Sequence, residues 1–224
     1  MGYRRVPFAV DEWYHCFSRG VDKRITFEDA QDFNRFEQLL YLANDTKPID
    51  RNFFPNTAHD DIFSRPREAP LVAVGAYCLM RNHFHLLLQE ITDGGITRFM
   101  RKLGTGYTMY FNMKNERIGN LFVKPFRSKH IAEDVYLRHV AHYIHLNPAE
   151  IFEHGWKQGS VVNIKSLEQD LLDYPHSSFP DYYGVRRPAR TILDTAARDL
   201  LNDGMPRSKT LLMEAATYYR ELKY

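Results

Sequence analysis

The 224-residue chain holds two cysteines, Cys16 and Cys78, each inside an apparent strand and without a nearby partner in sequence. That excludes a disulfide framework and points to small buried thiols in a reducing compartment. No apolar run approaches the roughly 20 residues needed to cross a bilayer. The opening Met1-Gly2-Tyr3-Arg4-Arg5 is not followed by a signal-like apolar stretch, so the expectation is a cytoplasmic protein with no membrane partner. There is no internal repeat and no low-complexity tract, which excludes a repeat architecture. A net charge of +2 excludes a strong global field of either sign. What remains is an ordinary globular composition, 44% hydrophobic and 26% charged, long enough for one full core with an appended sub-domain.

The hydrophobic pattern alternates between strand and helix periods. Glu12 to Ser18 is aromatic-rich and roughly alternating, a first strand, and Arg19-Gly20-Val21-Asp22 turns the chain. Apolar residues at Phe33, Phe36, Leu39, Leu40 and Ala43 predict a helix over Glu28 to Ala43. Asn44 to Pro70 is polar and carries Pro48, Pro55, Pro66 and Pro70, a long surface excursion that the Phe53-Phe54 pair is positioned to pin. Leu71 to Met80 and His83 to Glu90 read as a hairpin around Arg81-Asn82, and Ile96 to Met113 as a second helix. A strand over Arg127 to Ile131 follows, then a third helix from Ala132-Glu133-Asp134 to Asn147-Pro148. This β-α-β-β-α-β order predicts an α+β fold: a ferredoxin-like, split βαβ antiparallel sheet with helices on one face. Residues 1–150 form that domain, with an insertion at about 44–70. Residues 151–224 form a C-terminal extension, turn-rich at Tyr174 to Gly184 and helical over Thr191 to Leu201 and Ser208 to Leu222.

The most informative segment is Gly75 to Glu90. Alternate side chains of a strand share a face, so His83 and His85 project together while Phe84, Leu86 and Leu88 point the other way. Two imidazoles side by side on a rigid strand make half of a divalent metal site. The same spacing accommodates a pair of hydrogen-bonded sheet histidines. On the third helix, Tyr143 and Asn147 lie four apart and share a face, which sets a phenol one turn from an amide oxygen. Asn147 also suits a helix end before Pro148.

From Thr97 to His130 eight basic residues face one acid, Glu116, and aromatics are interleaved with them. Arg98, Arg101, Lys102, Lys124, Arg127 and Lys129 are the candidate DNA contacts, since cations neutralise phosphates and aromatic faces stack on unpaired bases. A solvated helix face with its aromatics in the core gives the same pattern.

The string Ala76-Tyr77-Cys78-Leu79-Met80-Arg81-Asn82-His83-Phe84-His85-Leu86-Leu87-Leu88 resembles the H-hydrophobe-H block of single-tyrosine HUH transposases. Tyr143-Ile144-His145-Leu146-Asn147-Pro148 resembles the Y-I-x-x-N-P block of the REP-associated tyrosine transposases within that group. Weaker matches lie in order at Tyr14 to Gly20, Gly119 to Ser128 and Ser177 to Gly184. The resemblance implies that His83, His85 and Asn147 bind Mg²⁺ or Mn²⁺ and that Tyr143 is the nucleophile. The implied activity is cleavage of single-stranded or hairpin DNA through a 5′-phosphotyrosine, followed by rejoining, in a monomer or homodimer. His139, one turn before Tyr143, is a candidate proton acceptor. The family usually has Pro where this chain has Arg81. The alternative is a non-catalytic or domesticated nucleic-acid-binding module on the same fold.

Overall fold

The computed structural model describes residues 7–49, 58–158, 161–202 and 210. Four antiparallel strands, β1 (Trp13–Arg19), β2 (Val72–Met80), β3 (His83–Glu90) and β4 (Arg127–Ile131), form one sheet in the order β2-β3-β1-β4. This is the predicted ferredoxin-like order, and the strands start and stop within a residue or two of the sequence expectation.

Two helices cover one face. In α1 (Ala30–Ala43) the Asp29 side chain accepts a hydrogen bond from Asp32 N–H at the N-terminus. In α2 (Gly95–Lys114) the buried Glu90 carboxylate takes that role, accepting from the N–H groups of Gly95 and Ile96 at 3.1 and 2.6 Å. Gly95 has to be glycine for a steric reason, because a Cβ there would lie 2.1 Å from the Leu71 carbonyl oxygen. Phe36 of α1 and Tyr107 of α2 pack with Phe84 of β3 and Phe122 in an aromatic cluster. The Lys114 ammonium joins the two helices by bonding Asp29 and Asp32 at 2.8 and 2.7 Å.

The opposite face carries Trp13, His15, Phe17, His83 and His85, as the pairing register requires. It is not open. Helix α3 (Asp134–His145) packs across it and leaves His85 only 6% exposed.

β2 is buried along its whole length although it is an edge strand. The extension covers it. Leu79 N–H donates to His176 O, Ser178 N–H to Tyr77 O and Asp194 N–H to Val74 O. The extension folds as α4 (Ala149–Phe152), α5 (Ile164–Asp173), α6 (Phe179–Tyr182) and α7 (Thr195–Asn202). The helix expected over Thr191 to Leu201 is divided, with a 3-10 turn at Pro188–Ile192 before α7. Asp194 divides it, since its backbone pairs with β2 while its side chain caps α7 at Ala197 N–H. The Phe53-Phe54 anchor and most of the expected Ser208 to Leu222 helix lie outside the described residues. No helix among the described residues is long and apolar enough to cross a membrane.

Candidate active site

A cleft of about 790 Å³ opens where the β2–β3 hairpin, the end of β1, the start of β4 and the C-terminal end of α3 meet. His83, Tyr143 and Asn147 line it together, with Arg19, Arg81 and Arg127 around them and Glu150 as the one carboxylate. Residues 60 positions apart in sequence are thus gathered as the two periodicities predicted. The strand alternation turns His83 and His85 to the face on which α3 lies; α3 ends at His145, short of the expected Asn147-Pro148, and the turn that follows it carries Asn147 into the same cleft as Tyr143.

The histidine rings are held through Nδ1. His83 Nδ1 lies 2.7 Å from Asn82 Oδ1, and Asn82 Nδ2 donates to Lys23 O at 3.3 Å. The amide is thereby fixed with its oxygen toward the ring, so His83 Nδ1–H is the donor and Nε2 carries the lone pair. His85 Nδ1 lies 2.8 Å from Nε2 of His15, a buried residue of β1 that the sequence reading left out of the site. His15 stands opposite Leu87 in the register, which makes it the diagonal neighbour of His85 on one face. Burial, reinforced by Lys129, pushes the His15 pKa down to about 3, so it is neutral at pH 7.

The Tyr143 ring sits edge-on to both imidazoles, with centroids 5.5 Å from His85 and 5.9 Å from His15. Phe17 stacks on His85 at 5.5 Å. Asn147 is buried and its Nδ2 donates to the Tyr143 carbonyl at 2.8 Å, closing the end of α3. The amide nitrogen is therefore occupied, and Oδ1 is the atom suited to a cation.

Among the described residues no group of three or more His, Cys, Asp and Glu side chains is arranged to hold a metal ion. The donors expected here are two imidazoles and an amide. Two imidazoles and an amide oxygen are a donor set that suits a divalent cation, and the Asn82 contact directs the metal-binding nitrogen of His83 to Nε2.

The remaining expected residues divide by position. Arg127 lines the cleft. Lys129 shares the face of His15 and bonds the Tyr136 hydroxyl, and Lys124 is exposed in the loop whose Val123 and Pro125 line the cleft. Arg98, Arg101 and Lys102 belong to α2, on the other side of the sheet. Arg98 bonds Thr92 Oγ1, and Lys102 bonds the carbonyls of Asp45 and Lys47. His139 packs near Tyr136, with ring centroids 6.5 Å apart, and is not among the residues lining the cleft. Arg19 was missed, although it ends β1 directly opposite His83.

No protein-family model matches the chain, and no curated protein matches it. Among solved structures, the chain is similar to that of a REP-associated tyrosine transposase bound to a REP hairpin. The two share a TM-score of 0.53 and 16% identity over 84% of this chain and 90% of that one. At that identity the likeness establishes a common fold.

Proposed function

We propose that this protein is a metal-dependent single-stranded DNA endonuclease and strand transferase that works through a 5′-phosphotyrosine at Tyr143. One observation carries the reading: Tyr143 lies in a single cleft with His83 and Asn147 while its ring rests against His85. The transposase of like fold, bound to a hairpin, supports DNA as the substrate class.

His83, His85 and Asn147 would hold Mg²⁺ or Mn²⁺, which supplies charge neutralisation at the scissile phosphate. The Tyr143 oxygen attacks phosphorus, the bond to the 3′ oxygen breaks, and the phenol's proton leaves as the 3′ hydroxyl forms. An unperturbed tyrosine ionises near ~10, so proton loss accompanies attack. The phosphotyrosine ester retains the energy of the broken bond, and a 3′ hydroxyl can attack it to rejoin strands and restore the phenol. Tyr143 reaches the histidines of its own chain, so the arrangement needs no second subunit to complete the site. Arg19, Arg81 and Arg127 line the cleft and would meet backbone phosphates entering it. Arg98, Arg101 and Lys102 would meet DNA only beyond it.

The test is cleavage of a hairpin-bearing single-stranded oligonucleotide with Mn²⁺. The expected products are a free 3′ hydroxyl and protein joined to the 5′ phosphate, both missing in Tyr143→Phe. Equal cleavage by that variant would defeat the assignment.

A further inference from the structure

The fit of His85 to a cation depends on which of its nitrogens bears the proton, and one buried contact governs that. His15 Nε2 and His85 Nδ1 are 2.8 Å apart. Only one proton can lie between the two nitrogens, and it can belong to either ring. If His15 donates, His85 Nδ1 must accept, and Nε2 of His85 then carries a hydrogen that closes it to a metal. If His15 accepts, His85 holds its proton on Nδ1 and presents a lone pair at Nε2. Asn82 imposes the second arrangement on His83.

We propose that His15 is a positioning residue that accepts the Nδ1–H of His85 and so keeps His85 in its metal-binding tautomer and orientation. The inference rests on His85 being a ligand, as argued above, and it adds a residue from a third element to the site. A ligating Nε2 on His85 requires the proton on Nδ1, and three features make His15 the fixed acceptor for it. His15 is fully buried, as a group whose partner is protein requires. It reaches His85 diagonally across the β1–β3 register, so backbone pairing fixes the contact. His85 is further held between Phe17 and Tyr143, which leaves the ring little freedom to turn and exchange its two nitrogens.

His15→Leu removes the acceptor while keeping an apolar side chain in the core. His15→Gln restores an oxygen near the position of Nε2. Mn²⁺ affinity is expected to fall by about 10-fold or more in His15→Leu, the usual cost of losing such a partner, and to recover to within a few-fold in His15→Gln. Independently of metal, nitrogen NMR of the metal-free wild type is expected to show His85 protonated at Nδ1, and His15→Leu a mixture of tautomers. Unchanged affinity in His15→Leu, or a wild-type His85 protonated at Nε2, would overturn the proposal. Failure of the parent reading has a different signature: His85→Ala would bind Mn²⁺ as tightly as wild type, and the proposal would fall with it.

Discussion

At the scale of the residue, the site combines what neighbouring sequence encodes with what only pairing creates. His83 and His85 were legible because the pair lies within one strand and obeys its period, and Tyr143 with Asn147 because the turn after His145 keeps Asn147 close to the last turn of α3, although the helix ends two residues before it. His15 was not, because its relation to His85 exists only once β1 and β3 are in register, 70 positions apart. A histidine at an inward-facing position of an apolar strand was the available signal. Two predictions belong at this scale. His83→Ala should abolish metal-stimulated cleavage while leaving the thermal midpoint close to wild type, since His83 is only partly buried, whereas His85→Ala should abolish cleavage and also lower the midpoint, since it empties a buried position and strands His15; calorimetry beside a cleavage assay checks this. The second concerns acid. Burial lowers the pKa of both His15 and His145 from 6.5 to about 3, so the unfolded chain binds these protons more readily. Their contribution is complete above pH 6.5 and drains away as pH falls toward 3. Urea midpoints should decline over that window, and His145→Gln should decline less steeply; a flat profile would contradict the assignment.

At the scale of the element, the extension does more than append to the domain. Ser178 Oγ accepts from Tyr77 N–H at 2.9 Å and pairs with His145 Nε2 at 2.9 Å, which links the edge of β2 to the helix that carries Tyr143. Arg187 fastens the same stretch through buried Asp181, whose carboxylate it bonds at 3.0 and 2.7 Å, and through the Tyr77 hydroxyl at 3.0 Å. Removing the guanidinium strands a buried carboxylate, so Arg187→Ala should lower stability by about 3–5 kcal/mol. Chemical denaturation measures it, and a loss below about 1 kcal/mol would mean that the ion pair holds little. The sequence reading placed turn-rich aromatic anchors at Tyr174 to Gly184 and expected them to pack back on the body, as they do. It did not foresee that they complete the sheet edge, because backbone pairing leaves no mark in composition. The basic segment is the converse case. Its charges are consecutive in sequence, but α2 and β4 lie on different sides of the molecule, and Arg127 alone among the expected cations lines the cleft.

At the scale of the whole molecule, a nearly neutral protein that acts on DNA as proposed would have to bind it through local charge. Affinity for single-stranded DNA should therefore fall with salt, and Arg19→Ala or Arg127→Ala should each reduce the slope of log affinity against log salt by about 1. Titration at several ionic strengths would reveal a slope that does not change, which would move the DNA path away from the cleft. The strands and the hairpin were readable from periodicity, and the fold is shared with the structure compared above despite 16% identity. The central claim concerns one oxygen. Incubation with Mn²⁺ and a hairpin-bearing single strand, followed by proteolysis and mass spectrometry, should yield one nucleotide-bearing peptide with the modification on Tyr143. A covalent adduct on any other residue, or cleavage with no adduct at all, would contradict it.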